Sequence, residues 1–100
     1  MRYRVEAANN SFEAILSEKI TFSDLEGFRE IIKKMQDASA SENVVDLSDV
    51  EFIDSAGLGM LLLAKDEVGK LSSKLVLKQP QGQVKRMFDV AQFDKMFEIV

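Results

Sequence analysis

Ser55 and its neighbours hold the chemistry this chain offers. The run Asp54-Ser55-Ala56-Gly57-Leu58-Gly59 follows the apolar pair Phe52-Ile53 and leads into Met60-Leu61-Leu62-Leu63, the start of an apolar helix. A serine beside an aspartate at a helix N-terminus faces unpaired backbone N–H groups and the positive end of the helix dipole. Such a spot tolerates added negative charge. The chemistry that suits it is phosphoryl acceptance, because a hydroxyl that gains a dianion without unfolding its domain is a switch. The plain alternative is a helix cap, a role that both Ser and Asp fill well. Gly57 and Gly59 ask for something more. Each costs a helix roughly 1 kcal/mol relative to alanine. A close approach by another backbone offsets that cost, either from a partner lying flat beside Ser55 or from the sheet within the chain.

Most other chemistries are excluded by composition. The 100 residues include no histidine, cysteine or tryptophan. A Ser-His-Asp triad lacks its base, and cysteine nucleophiles, zinc clusters and disulfides are impossible. Gly57-Leu58-Gly59 lacks the third glycine of a dinucleotide fingerprint, and Lys70 is too distant to be a P-loop lysine. Asp46, Asp49 and Asp54 are oxygen ligands of the type a divalent cation takes. They also suggest a phosphoacceptor-aspartate receiver, but Val5-Glu6-Ala7-Ala8 does not supply the acidic pair that such a site needs. No metal, cofactor or enzymatic activity is expected.

Phe22, Phe28, Phe88, Phe93 and Phe97 read as core residues, as do Met60, Met87 and Met96. Lys85-Arg86 reads as part of a solvated helix face. A formal net charge of −4 disfavours nucleic acid, which wants a basic surface. The longest apolar stretch, Leu58 to Ala64, is far too short to span a bilayer. No apolar run follows the arginines of Met1-Arg2-Tyr3-Arg4-Val5-Glu6, so a signal peptide is not expected and a cytoplasmic location is.

The elements that must position Ser55 alternate in type. Tyr3 to Ala7 is a short strand, Asn9-Asn10 a hairpin turn. Phe12 to Leu16 is a second strand, with Phe12, Ala14 and Leu16 on one face and Glu13 and Ile15 on the other. So short a turn makes the two antiparallel neighbours. Ser23 and Glu26 have capping-box spacing. Leu25, Phe28, Ile32 and Met35 follow at helical spacing, with Ile31 alongside, and Glu26, Arg29, Glu30, Lys33 and Lys34 lie opposite. Gln36 to Asn43 reads as a loop.

Val44, Val45 and Leu47 form a third, central strand, followed by a short acidic connection and a helix from Ser55 to about Leu71. Leu75-Val76-Leu77 is a fourth strand. Val84, Met87, Phe88 and Ala91 mark a third helix, and Met96 to Val100 a fifth strand. The order β-β-α-β-α-β-α-β predicts one α/β domain over residues 1–100. Its five-stranded sheet is mixed, an antiparallel hairpin leading parallel strands joined by right-handed crossovers, with the helices mainly on one face.

Phe52-Ile53-Asp54-Ser55-Ala56-Gly57-Leu58-Gly59 resembles the phosphorylation motif of the STAS domains of anti-sigma-factor antagonists. Val44-Val45-Asp46-Leu47-Ser48 resembles the strand before that motif, and Val84-Lys85-Arg86-Met87-Phe88-Asp89-Val90 the third-helix segment, so the likeness spans nearly the whole chain. The resemblance implies a bacterial regulator of transcription that acts by partner switching. In that scheme an anti-sigma factor that is also a serine-protein kinase phosphorylates the serine after the motif aspartate. The unphosphorylated antagonist binds that kinase and frees the sigma factor, and a PP2C-type phosphatase restores the serine.

Carried onto this sequence, Ser55 is the phosphosite. Thr21, Phe22, Ser23, Asp54, Ser55, Ala56, Gly57 and Leu58 form the partner-binding surface, and the protein is a monomer or weak dimer. The family also includes structural subunits of larger assemblies such as lipid-transport complexes, which keep the fold without the phosphate. Three departures stand out. Where many members carry Gly-Glu-Leu-Asp before the first helix, this chain has Ser17-Glu18-Lys19-Ile20, with Ile20 in place of the aspartate. Ala56 replaces the motif's second hydroxyl residue. The chain stops at Val100, without the final helix of longer members.

Overall fold

The computed structural model describes residues 1–100. Two asparagines set its first connection. Asn9 and Asn10 both take left-handed φ angles, 52° and 65°, as a two-residue type I′ hairpin requires. Strand β1 (Arg2–Ala8) therefore folds back antiparallel on β2 (Ser11–Ile20), with Ala8 opposite Ser11. β2 is longer than its alternation suggests. Ser17 to Ile20 continue the strand, and Ile20 is fully buried. The stretch aligned with Gly-Glu-Leu-Asp of other members is thus strand here, and Ile20 is a core residue.

A single 3₁₀ turn, Phe22–Asp24, carries the chain into α1 (Leu25–Ala38). The expected Ser23–Glu26 box is not the one that forms. Thr21 donates its N–H to the Asp24 carboxylate at 2.8 Å, while Asp24 N–H bonds the Thr21 carbonyl at 2.9 Å. The extra turn moves the capping pair two residues upstream. Phe28, Ile31, Ile32 and Met35 form the buried stripe. Ser39, with φ 50°, ends the helix by donating its N–H to the Met35 and Gln36 carbonyls, so the following loop is shorter than expected.

β3 spans Glu42–Ile53, and the anticipated acidic connection is part of it. Its pairing with β2 shifts twice: Ile15 faces Asp46 but Ser17 faces Asp49, and Glu18 faces Val50 but Lys19 faces Phe52. Each shift lodges one extra residue in β3, a bulge that resets the alternation. Val45, Leu47, Val50 and Ile53 are therefore all buried, although strict period-two spacing would have turned Val50 outward.

Next come α2 (Ser55–Gly69), β4 (Lys74–Lys78), α3 (Gly82–Val90) and β5 (Glu98–Ile99). α2 ends short of the expected Leu71. The fifth strand is only two residues long because a 3₁₀ turn, Phe93–Lys95, occupies the approach. The strands lie in sequence order, and β2 to β5 are parallel. Right-handed crossovers that all step the same way put α1, α2 and α3 on one face. There, Phe12, Leu16, Val45, Leu47 and Leu77 join Phe28, Met60, Leu61, Val84 and Phe88 in one core. The other face has no helix and carries a Glu13–Lys78 ion pair at 3.4 Å.

Candidate functional site

The site forms where β3 hands over to α2. Asp54 adopts extended backbone (φ −98°, ψ −179°) and caps the helix: Oδ1 accepts the Gly57 N–H at 2.8 Å. Its other oxygen, Oδ2, accepts the Phe22 N–H at 3.2 Å. Asp54 N–H bonds the Ile20 carbonyl at 3.2 Å, and Leu58 N–H bonds the Asp54 carbonyl at 3.1 Å. One aspartate thus fixes the start of α2 and ties it to the turn between β2 and α1. A capping carboxylate of this kind contributes about 1 kcal/mol.

Gln83, at the start of α3, locks the same corner. Its Oε1 accepts the Ile53 N–H and its Nε2 donates to the Ile53 carbonyl, both at 2.9 Å. The side-chain amide stands in for a neighbouring strand beyond the reach of β4, whose pairing with β3 ends at Asp46 opposite Lys78. No signal in the sequence distinguishes Gln83 from any polar residue of a helix face.

Ser55, the first residue of α2, is exposed. The amides of Ser55 and Ala56 belong to the first turn, where the helix provides no acceptor. The two glycines do different jobs. A Cβ on Gly57 would stand 2.5 Å from Ile53 Cγ1 and 2.9 Å from the Ile20 carbonyl oxygen. Gly57 is buried, so the close approach is to the chain's own sheet and offers a partner no surface. A Cβ on Gly59 would meet nothing within 4 Å. Gly59 helps to form a shallow groove of about 240 Å³, with Phe22, Leu25, Ala56, Met60 and Leu63.

Phe22 is 75% exposed. The expectation that it belongs to the core is corrected, because the 3₁₀ turn lifts it out over α2. Phe28, Phe88, Phe93, Phe97 and Met60 are buried, Met87 packs against the core in part, and Met96 is exposed. Of the remaining residues assigned to the partner surface, Ser23 is exposed and places its hydroxyl 2.9 Å from that of Thr21, which is half-buried. Leu58 is half-buried against the core.

The aspartates do not converge. The Asp46 carboxylate accepts the Ser48 N–H at 2.9 Å, Asp54 is committed as described, and no group of three or more acidic residues gathers. At Asp24, partial burial raises the carboxyl pKa, but the Thr21 N–H and the Met1 ammonium at 3.0 Å outweigh it and hold the group below its ordinary value.

A five-stranded mixed sheet with its helices on one face is the fold of a STAS domain. The STAS family profile matches residues 12–100, and the chain belongs to that family. A STAS-domain containing protein of Pseudomonas aeruginosa (strain UCBPP-PA14), PA14_20770, is 34% identical over 56 residues, 56% of this chain and 55% of that one. The aligned part thus spans about half the length of that relative.

Among solved structures, TM1081 of Thermotoga maritima superposes with a TM-score of 0.87 at 17% identity, over 97% of this chain and 84% of that one. The anti-sigma factor antagonist SpoIIAA in its unphosphorylated form gives 0.76 at 20% identity, over 99% and 87%. The phosphorylated form of SpoIIAA, a Bacillus cell fate determinant, gives 0.74 at 16% identity, over 99% and 91%. At these identities the likeness is one of fold. No helix is long and apolar enough to cross a membrane.

Proposed function

We propose that this protein is an anti-sigma factor antagonist that works by partner switching, with Ser55 as its phosphorylation site. On this reading it is a non-enzymatic, cytoplasmic regulator of transcription. It binds an anti-sigma factor that is also a serine kinase, lets go when Ser55 is phosphorylated, and is restored by a PP2C-type phosphatase. The observation that carries the reading is the exposed Ser55 at the head of α2, beside an apolar groove bordered by the exposed Phe22.

The energetics favour a switch in affinity over a change of fold. A phosphate brings about −1.5 to −2 charges. The N-terminus of α2 supplies the equivalent of roughly +0.5 charge and the first-turn amides, so the free protein accommodates the group in water. A contact that has dried the groove and the neutral hydroxyl beside it has no such outlet. The dianion would be desolvated there beside the Asp54 carboxylate, whose oxygens already serve Gly57 and Phe22. A penalty of about 3–4 kcal/mol weakens binding by roughly two to three decades.

The test is incubation of the protein with ATP and the anti-sigma-factor serine kinases of its own organism, followed by intact mass and peptide mapping. The proposal expects one phosphate, on Ser55, and none on Ser55→Ala. Wild type that stays unmodified with every such kinase would favour a phosphate-independent subunit of a larger assembly.

A further inference from the structure

The sheet has one long free edge. β5 is two residues long, whereas β1 runs for seven and is paired on one side only. The backbone groups on that edge follow from the hairpin. In a two-residue hairpin the residues flanking the turn form a hydrogen-bonded pair, and such pairs alternate along the strands. Ala8–Ser11, Glu6–Glu13, Arg4–Ile15 and Arg2–Ser17 are therefore the bonded pairs. The N–H and C=O groups of Tyr3, Val5 and Ala7 point away from β2. Long unpaired edges are templates for another strand.

We propose that β1 is a homodimer interface, on which two copies pair antiparallel about a two-fold axis through Val5. The register is set by three conditions that agree. Only residues with outward backbone groups can bond across the axis, which restricts the bonded pairs to Tyr3, Val5 and Ala7. Full overlap of Arg2–Ala8 with itself places Val5 opposite the partner's Val5 and Tyr3 opposite the partner's Ala7. That register alone sets Arg4 opposite the partner's Glu6, and Glu6 opposite the partner's Arg4. These fall at the closer type of pair, with Cα atoms about 4.5 Å apart. Moving the axis by one residue puts Arg4 against Arg4 or Glu6 against Glu6 and shortens the overlap. Like charges directly opposite are destabilising.

The side chains agree with this placement. Tyr3 lies on the helix face, its hydroxyl 3.1 Å from the Glu30 carboxylate of α1. Val5 lies on that face too and is 37% exposed, so the partner's Val5 covers it. Arg4 and Glu6 lie on the opposite face and are paired within the strand at 3.8 Å. In the dimer the two strands bring four alternating charges together. Ser55 takes no part, so this interface stands or falls separately from the proposed switch.

Sedimentation velocity of the full chain over a concentration series tests it. The wild type is expected to shift from monomer to dimer as concentration rises. Glu6→Arg, which sets like charges opposite each other, is expected to weaken the dimer at least tenfold. The double exchange Arg4→Glu with Glu6→Arg is expected to restore it. Val5→Pro removes an outward N–H without touching a bond to β2 and is expected to be monomeric with an unchanged circular dichroism spectrum. Ser55→Asp is expected to dimerise like wild type. Wild type that remains monomeric up to about 1 mM overturns the proposal, and so does a double exchange that leaves the dimer as weak as Glu6→Arg does.

Discussion

Gly57 and Gly59 lie two residues apart on one helix, and replacing each with alanine has opposite consequences. At Gly59 the new methyl meets nothing within 4 Å, so only helix propensity changes. Gly59→Ala gains about 1 kcal/mol, and in a domain of this size that raises the Tm by about 4–8 °C. At Gly57 the same propensity gain meets a steric cost. The methyl would sit 2.5 Å from Ile53 Cγ1, 2.9 Å from the Ile20 carbonyl oxygen and 3.1 Å from Ile20 Cγ2.

The Ile20 oxygen cannot withdraw freely, because it accepts the Asp54 N–H at 3.2 Å, and Ile20 and Ile53 are fully buried. Overpacking of this kind costs about 1–3 kcal/mol, and the fixed oxygen places Gly57→Ala in the upper part of that range. Less the propensity gain of about 1 kcal/mol, the loss is about 1–2 kcal/mol. Thermal and urea denaturation followed by circular dichroism measure both variants. A shift of the same sign in both would refute the division of labour between the glycines. On the proposed function, Gly59→Ala carries a second consequence: its methyl enters the groove beside Phe22 and Leu63 and weakens partner binding while the protein becomes more stable.

Other perturbations probe the remaining parts of the site. Asp54→Ala removes the α2 cap and the tie to Phe22 and should cost about 1–2 kcal/mol in urea denaturation, with Asp54→Asn losing less. Phe22→Ala, at an exposed position, should leave stability within about 0.5 kcal/mol and, on the proposed function, lower affinity for the proposed partner kinase at least tenfold by calorimetry. The Asp24 carboxyl is held below its ordinary 3.8, so its stabilisation is complete above that value and is lost as the pH falls through the folded-state pKa. Asp24→Asn should therefore flatten the stability profile below pH about 4 and lower stability at neutral pH.

Where local pattern and tertiary packing agree, the sequence is a faithful guide. The Asn9-Asn10 turn, the Phe28–Met35 stripe of α1 and the apolar Val44–Leu47 core of β3 specify their elements with little help from elsewhere, and the order of elements then dictates a mixed sheet. The acidic residues Asp49 and Glu51 disguise the rest of β3. Two bulges break the alternation there, and a bulge is visible only once the partner strand is known. Ile20 looks like a loop residue out of place until β2 is seen to run as far as the site.

Within the site, Asp54 as a cap and Ser55 as an exposed hydroxyl are legible from the helix start alone. Gly57 is not, because its neighbour Ile20 is distant in sequence. The exposure of Phe22 depends on a single 3₁₀ turn whose cap, Thr21–Asp24, competes with an equally plausible Ser23–Glu26 pattern. Gln83 reaches Ile53 only after α3 has docked.

The most direct test of the proposed function compares the affinity of the proposed partner kinase for the protein with Ser55 free and with Ser55 phosphorylated, by titration calorimetry on the same preparation. The account predicts a loss of roughly two to three decades on phosphorylation, with circular dichroism and Tm nearly unchanged. Equal affinity of the two forms, or a loss that comes only with unfolding of the domain, would contradict it.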